Sequence, residues 1–282
     1  MINNFLPTLR LLNSASLVGF SGGLRLYLAF LLAGLIPPIM LVVAACLIIY
    51  ATYTLDRALE NKEDVINHPE FSGADKRAGL VASGICTISG SLLFFSEWLI
   101  SPPLFPFLVG ILYSKGIPLG STVIKLKGGC GGKNLVIGIT WGGTIGLVIA
   151  AFAPPLAALV IAAYFGMKLF INSTIFDLKD IEGDLAAGIR TLPVVLGSRY
   201  LKIFLLAICL VQHAILFAAM YTGLLAGLWW LLLYSLAASC LVIVWYSPAF
   251  ETSHSWLKRK IRILAINYEP IMLAVLSVFL PA

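Results

Sequence analysis

The run PLAALVIAAYFGMKLFINSTI, from Pro155 to Ile175, is mostly apolar and is followed at once by the acidic segment FDLKDIEGD at positions 176–184. An α-helix needs about 20 predominantly apolar residues to cross the hydrocarbon core of a bilayer. The run therefore predicts a membrane-spanning helix. The segment after it predicts that this helix ends in a group of carboxylates at the membrane surface.

Apolar windows of comparable length recur along the whole chain. Hydrophobic residues make up 60% of the sequence and charged residues 11%, whereas soluble domains have about 45–50% and about 25%. We therefore predict a single all-α domain over residues 1–282, a polytopic membrane bundle of about nine transmembrane helices around a central cavity. The nine windows are Asn13–Leu35, Pro37–Tyr53, Gly79–Ile100, Pro102–Tyr113, Leu135–Phe152, Pro155–Ile175, Leu201–Tyr221, Leu228–Tyr246 and Ile263–Leu280.

Two windows do not fit the simple pattern. Pro102–Tyr113 is short for a full crossing, and Arg25 lies in the middle of the first window beside Gly22 and Gly23. An arginine inside a membrane is costly unless it faces a polar interior. We therefore expect Arg25 to face such an interior. The alternative is a first helix that starts later, which leaves eight spans.

The loops alternate between two contrasting faces. Loops after even-numbered windows carry many Lys and Arg residues, whereas those after the third, fifth and seventh windows carry none. By the positive-inside rule the basic loops are cytoplasmic, which predicts an integral, multi-pass protein of a prokaryotic cell membrane or, alternatively, of an organelle membrane. The net charge is +6, but no basic stripe is interleaved with aromatic residues, so we expect no nucleic-acid partner.

One acidic row follows the sixth window. Asp177, Asp180 and Asp184 are spaced i, i+3 and i+7, which places them on one face if the helix continues. Three neighbouring carboxylates repel one another unless a cation neutralises them. Oxygen-only ligands suit a hard divalent cation, and Mg²⁺ commonly bridges such carboxylates to the phosphates of a substrate.

The other acidic row, which is the first along the chain, follows the second window. Asp56, Glu60 and either Glu63 or Asp64 again share a face of a helix. The alternative interpretation is a pair of solvated helix ends with local salt bridges, such as Glu60 with Arg57. Two rows on the same side of a chain with so few charges favour metal binding, since carboxylates at the membrane edge usually have a function.

A basic, glycine-rich loop joins the fourth and fifth windows. It contains Lys115, Lys125, Lys127 and Lys133, with six glycines and no acidic residue. Lysines on a flexible loop can fold over a phosphate group, although ordinary topology-determining charge explains them equally well. Carboxylates for Mg²⁺, lysines for a diphosphate and an apolar bundle for a hydrocarbon together point to a prenyl diphosphate as the substrate.

The second acidic row carries a family resemblance. The pattern Asp177-x-x-Asp180-x-x-Gly-Asp184, which continues to Thr191-Leu-Pro193, resembles the second aspartate-rich motif of the UbiA-type intramembrane prenyltransferases. The first row is similar to the family's first motif but departs from it. Thr52 and Tyr53 replace the opening Asn-Asp, and Glu60 stands where the last Asp is usual.

This resemblance implies transfer of a prenyl group from a prenyl diphosphate to a hydrophobic acceptor within the lipid bilayer. The acceptor would be an aromatic or quinone precursor or a lipid precursor, and the cofactor would be Mg²⁺. The resemblance assigns catalytic roles to Asp56 and Asp177. The implied metal ligands are Asp56, Glu60, Asp64, Asp177, Asp180 and Asp184. The implied substrate-binding residues are Arg57, Tyr113, Lys115, Lys125 and Lys133.

Two other functions remain open at this stage. A UbiA-type terpene cyclase would ionise the same prenyl diphosphate but capture the cation with the substrate's own double bonds, which would give a cyclic hydrocarbon without any acceptor. A transporter would use the carboxylates to line an ion path. That function favours acidic residues near mid-membrane, whereas both acidic rows lie at one face.

Overall fold

The chain is a helical bundle with one short β-hairpin. The computed structural model describes residues 4–59, 71–114, 117–119, 122–124, 131–178, 181, 185, 188, 190–245 and 256–280. In chain order the elements of this part are α1 (Phe5–Ser14), α2 (Ser16–Leu32), α3 (Ile39–Leu59), α4 (Lys76–Phe95), α5 (Ser101–Ser114), β1 (Ile117–Leu119), β2 (Thr122–Ile124), α6 (Gly132–Ile149), α7 (Pro155–Asp177), α8 (Leu192–Tyr221), α9 (Trp229–Trp245) and α10 (Trp256–Phe279).

Each of the nine predicted windows overlaps one of the helices α2 to α10, so the predicted membrane bundle is confirmed. Within the described residues, six helical segments are long and apolar enough to cross a membrane. They are Phe5–Leu32, Ile39–Leu59, Lys76–Phe95, Gly132–Ile149, Pro155–Asp177 and Arg199–Tyr221. The apolar helices Trp229–Trp245 and Ile266–Phe279 are shorter, and α5 has 14 residues with Pro106 inside it. Nine full crossings therefore stay a prediction.

The β-hairpin departs from the predicted all-α fold. Strands β1 and β2 pair antiparallel, with Ile117 opposite Ile124. Pro118 cannot donate a helical hydrogen bond, and the β-branched residues Thr122, Val123 and Ile124 favour an extended backbone. The hairpin lies in the basic loop between α5 and α6, outside the apolar windows, so the helical character of the bundle is unaffected.

Helices α6 and α7 pack closely because small residues line their contact. A Cβ atom added to Gly142 would lie 2.5 Å from the carbonyl oxygen of Ala162, and one added to Gly138 would lie 2.7 Å from that of Gly166. Small residues allow two membrane helices to approach backbone to backbone. This contact fixes the register of an antiparallel pair, so the start of α6 lies beside the end of α7.

Helices α2 and α3 also form an antiparallel pair. A Cβ atom on Gly19 would lie 2.9 Å from the Tyr50 side chain, and one on Gly23 would lie 2.1 Å from the sulfur of Cys46. The first turns of α2 therefore lie beside the last turns of α3. Asp56 is in the last turn of α3, so α2 runs inward from the end of the bundle where Asp56 lies.

The outer surface is apolar, as expected for contact with lipid. On α4, Ile85, Ile88 and Leu92 are 60%, 64% and 62% exposed. Their spacing of three and four residues places them on one face of the helix. A contiguous apolar face of this kind on a soluble protein would cause aggregation, whereas lipid covers it in a membrane protein.

The close contact between α6 and α7 predicts that Gly142→Ala destabilises the bundle. The added methyl group collides with backbone atoms that cannot rotate away, and overpacking of this kind costs about 1–3 kcal/mol. The measurement is the free energy of unfolding in mixed micelles. Gly84→Ala is the matched control, because no atom lies within 4 Å of a Cβ at that helical position. Equal stability of the two variants would contradict the predicted contact.

Candidate active site

The best-defined polar site lies where α6 begins beside the end of α7. Asp177 is 2% exposed, and its Oδ1 lies 2.9 Å from the Nζ of Lys133. The Nδ2 of Asn134 donates a hydrogen bond of 2.7 Å to the other carboxylate oxygen. The N-terminus of α6 adds a favourable electrostatic field for the negative charge. One buried carboxylate is therefore held by a cation, an amide and a helix end.

The donor atoms around Asp177 fit a hard cation. The Oδ1 of Asn134 is buried and accepts no hydrogen bond from any residue that the structure describes, although it belongs to the amide that contacts the carboxylate. An oxygen that lacks a donor beside a carboxylate is a suitable partner for Mg²⁺, which prefers oxygen ligands. If Mg²⁺ binds here, the flexible side chain of Lys133 would either share the Asp177 carboxylate with the ion or turn towards a phosphate group that coordinates the ion.

The remaining predicted ligands cannot be placed. Glu60, Asp64, Asp180 and Asp184 lie outside the described residues, as do Lys115 and Lys125 of the basic loop. Tyr113 falls in the last turn of α5, but its side chain is also outside the description. Among the residues that are described, no group of three His, Cys, Asp or Glu side chains could hold a metal ion. The full ligand set therefore stays a prediction.

The first acidic row begins at the same end of the bundle. Asp56 is half-buried in the last turn of α3, and the neighbouring Arg57 donates from Nη1 to the Oγ of Ser14 at 2.6 Å. One turn before Asp56, the ring of Tyr53 stacks on Trp141 of α6, with centroids 6.0 Å apart and an interplanar angle of 17°. This aromatic pair connects the helix that carries Asp56 with the helix that carries Lys133 and Asn134.

An apolar cavity lies beneath this end of the bundle. Its empty space is about 530 Å³, counting the part that opens to the surroundings. The polar part of the wall is limited to a few side chains, including those of Arg25, Tyr53 and Thr144. The lining residues are Val18, Gly22, Arg25, Leu26, Ala45, Ile48, Ile49, Tyr53, Phe94, Trp141, Thr144, Ile145, Val148 and Leu169. The apolar character of this lining suits a hydrocarbon chain.

Arg25 is inside the protein, as predicted. It is 6% exposed, lines the cavity and donates from Nη1 to the Oγ of Ser21 at 3.0 Å. Ser21 in turn donates to the Oδ1 of Asn267 in α10 at 2.9 Å. The first helix therefore does not start after Arg25, because α2 contains it and continues for a further seven residues to Leu32.

A second polar cluster lies deeper between α7, α8, α9 and α10. Its centre is an ion pair in which the Nζ of Lys168 lies 2.6 Å from Oε1 of Glu269. Ser235 donates to the same oxygen at 2.7 Å, and Lys168 also donates to Ser239. Lys168 is nine residues before Asp177, which places it about 13 Å further into the bundle. The pair is separate from the site around Asp177.

Sequence reasoning overlooked this pair. The signal was available, because Lys168 and Glu269 are ionisable residues inside apolar windows, where such residues are rare and usually paired. His213 belongs to the same cluster, with Nδ1 2.7 Å from the carbonyl oxygen of Cys209 and Nε2 3.2 Å from Ser235. These contacts make His213 a hydrogen-bonded residue of the core.

The ion pair between Lys168 and Glu269 predicts that Lys168→Met is strongly destabilising. The substitution leaves the Glu269 carboxylate buried without its cation, at a cost of about 3–5 kcal/mol in unfolding free energy. The double variant Lys168→Met with Glu269→Gln removes both charges and recovers most of the loss. The measurement is a double-mutant cycle of unfolding free energies in mixed micelles. Lys202→Met is the control, since the hydrogen bond of Lys202 to a described residue goes to the carbonyl oxygen of Val244 at 2.9 Å and involves no carboxylate. Additive effects in the cycle would show that the pair contributes nothing.

Comparison with known proteins identifies a family. The model described as the UbiA prenyltransferase family matches residues 26–266. A digeranylgeranylglyceryl phosphate synthase from Halobacterium salinarum is 42% identical over 74 residues, which cover 26% of this chain and 27% of that protein. The protein of the same name from Natronomonas pharaonis is 28% identical over 188 residues, 64% of this chain and 65% of the relative. The matched stretches thus cover less than two thirds of either relative.

Solved structures with the same fold cover almost the whole chain. A UbiA homologue from Archaeoglobus fulgidus bound to Cd²⁺ has a TM-score of 0.61 at 14% identity, over 95% of this chain and 99% of its own. The same homologue bound to GPP and Mg²⁺ has a TM-score of 0.52 at 15% identity, over 98% and 89%. A digeranylgeranylglyceryl phosphate synthase has a TM-score of 0.55 at 16% identity, over 96% and 97%. At these identities the likeness concerns the fold.

Proposed function

This chain belongs to the UbiA prenyltransferase family, and we propose that it transfers a prenyl group from a prenyl diphosphate to a hydrophobic acceptor inside the membrane, with Mg²⁺ as cofactor. The observation that carries the proposal is the position of Asp177, held by Lys133 and Asn134, at the end of the bundle above an apolar cavity. A charged head group and a hydrocarbon tail need these two environments side by side.

The polar end suits the diphosphate. Asp56 and Asp177 are the described carboxylates that would hold Mg²⁺, and we propose Glu60, Asp64, Asp180 and Asp184 as further ligands. Bound Mg²⁺ neutralises the negative charge that develops on a departing diphosphate. Lys133 already lies at this end and can contact the phosphate oxygens directly. We further propose that Arg57, Tyr113, Lys115 and Lys125 contribute to binding of the same group.

The apolar end suits the prenyl chain. The cavity wall extends from Tyr53 and Trp141 down to Val148, which is seven residues or about 10 Å further along α6. Breaking the bond between C1 and the diphosphate oxygen leaves positive charge on the allylic carbons. The apolar wall limits the access of water to that cation, and the stacked rings of Tyr53 and Trp141 present aromatic surface close to it.

The relatives favour a lipid acceptor over an aromatic one. Two of them are named digeranylgeranylglyceryl phosphate synthase, a product with two prenyl groups on one glyceryl phosphate. In the corresponding reaction, a hydroxyl oxygen of geranylgeranylglyceryl phosphate attacks C1 of geranylgeranyl diphosphate. The ether bond forms as the bond to diphosphate breaks, and the hydroxyl proton is released. The neighbours bound to GPP and to DMAPP, each with Mg²⁺, support a prenyl diphosphate as the donor.

We also propose that the end of the bundle with Asp56 and Asp177 faces the cytoplasm. The loops at this end carry most of the lysines and arginines, and such loops stay on the cytoplasmic side of a membrane. A prenyl diphosphate made in the cytoplasm then reaches the site without crossing the bilayer. This orientation is tested with single cysteines placed at positions 77 and 97. The measurement is the accessibility of each cysteine to an impermeant thiol reagent.

Asp177→Ala is expected to abolish turnover. The substitution removes the carboxylate that Lys133 and Asn134 hold, and loss of one electrostatic element at a reacting centre costs about 100-fold or more in rate. The measurement is diphosphate release from geranylgeranyl diphosphate by the purified protein with Mg²⁺, with EDTA and with each variant. Glu97→Gln is the control, because Glu97 is an exposed acid at the opposite end of the bundle. Full activity of Asp177→Ala, or activity in EDTA, would refute the proposed site.

Dependence on the acceptor separates a transferase from a cyclase. We expect sustained diphosphate release only when geranylgeranylglyceryl phosphate or another competent acceptor is supplied, with one ether product formed for each diphosphate. Mass spectrometry of the organic extract identifies the product. A cyclic hydrocarbon formed without acceptor would replace the proposal with the terpene cyclase alternative.

A further inference from the structure

Arg25 lies in the wall of the cavity, where one hydrogen bond joins its guanidinium group to another described residue. A guanidinium group has five N–H donors, and one of them donates to a described partner, the Oγ of Ser21 at 3.0 Å. The residue is 6% exposed, so its guanidinium group lies inside the bundle rather than on the outer surface. A buried, always-charged donor group that borders a cavity is suited to bind a ligand there.

The buried charges around Arg25 do not cancel. Glu269 attracts the positive charge of Arg25, but its carboxylate is in an ion pair with Lys168 at 2.6 Å. The other titratable groups near Arg25 are the phenols of Tyr53 and Tyr164, which are neutral when protonated. Among the described residues, two buried cations therefore share the Glu269 carboxylate in this part of the bundle. An uncompensated charge inside a membrane is costly, so an anion in the cavity would stabilise the protein.

The guanidinium group points towards the end of the bundle where the diphosphate would bind. Arg25 reaches back along α2 to Ser21, and α2 runs inward from that end. From the contacts of Gly19 with Tyr50 and of Gly23 with Cys46, Ser21 lies level with about residue 48 of α3. Asp56 is eight residues further on, or about 12 Å away along the helix axis. That distance leaves room for an acceptor between the two groups.

We propose that Arg25 binds an oxyanion of the acceptor, a phosphate or a carboxylate, inside the cavity and thereby orients the acceptor for attack at C1 of the prenyl group. This inference rests on the proposed function and adds to it the chemical class of the acceptor. Arginine binds phosphate and carboxylate through two parallel hydrogen bonds, which fix orientation as well as position. An acceptor without a negative charge leaves the Arg25 charge uncompensated and binds more weakly.

Binding in the absence of prenyl diphosphate tests the proposal without depending on turnover. The full chain in detergent is titrated with geranylgeranylglyceryl phosphate and with its dephosphorylated alcohol. A second pair consists of a hydroxylated aromatic carboxylate and its methyl ester. Affinity is measured from the shift in thermal unfolding. We expect the charged member of one pair to bind at least about 10-fold more tightly than its neutral partner, and that pair identifies whether the oxyanion is a phosphate or a carboxylate.

Variants at position 25 test whether Arg25 causes the preference for the charged ligand. We expect Arg25→Gln to bind the charged and neutral members of the pair with affinities within about 2-fold of each other, and Arg25→Lys to keep part of the preference. If Arg25→Gln does not fold, Arg25→Lys and Ser21→Ala carry the test, since each weakens the proposed contact and should lower the preference about 3-fold or more. Arg77→Gln is the matched control, because it removes an exposed arginine from the charged end of α4 and should leave the preference unchanged.

The outcomes separate this inference from the proposed function. Equal affinity of the wild type for both members of each pair, or a preference that survives Arg25→Gln, would overturn the role of Arg25 even if prenyl transfer occurs. A preference that disappears in Arg25→Gln supports that role even if no prenyl transfer is detected. The latter result would refute the proposed reaction and leave an anion-binding cavity.

Discussion

The cost of burying charge in an apolar bundle is the constraint on which the rest of this structure depends. Asp177 has a cation and an amide within hydrogen-bonding distance, and Glu269 has a lysine and a serine. Removing either cation would leave a carboxylate that neither lipid nor the surrounding side chains can solvate. The Asp177 pair lies at the polar end of the bundle, where the candidate active site is. The Glu269 pair lies deeper and joins neighbouring helices.

Close helix packing supplies the geometry that these pairs require. Without a hydrophobic driving force inside a bilayer, helices associate through tight contacts between small residues and through polar groups. Gly138 and Gly142 set the register of α6 against α7, and this register brings Lys133 and Asn134 to Asp177. A shift of one residue would rotate the start of α6 by about 100° and move these side chains away from the carboxylate. The glycines thus act on the candidate site from two turns away.

The bundle and the candidate ligands could be predicted from the sequence because both are local patterns. Apolar windows locate the helices, and the spacing of Asp56 and Asp177 within acidic rows marks the polar end. The partner of Asp177 could not be predicted, since it depends on how two helices align. Lys133 was expected to bind substrate, and its ion pair with Asp177 became apparent only from the register of α6 and α7. Lys168 and Glu269 are also visible as charges inside apolar windows, but their pairing depends on how α7 and α10 align.

The departure of the first acidic row from the family pattern has a structural consequence for Arg25. The family usually has an aspartate where this chain has Tyr53. In the structure Tyr53 stacks on Trp141 and lines the cavity, so α3 contributes an aromatic surface at this depth instead of a carboxylate. Among the described residues, Arg25 consequently has no hydrogen-bonded acidic partner on α3, while Glu269 of α10 is paired with Lys168. The same substitution that removes a metal-ligand candidate therefore leaves a cation facing the cavity, and both changes favour an anionic acceptor there.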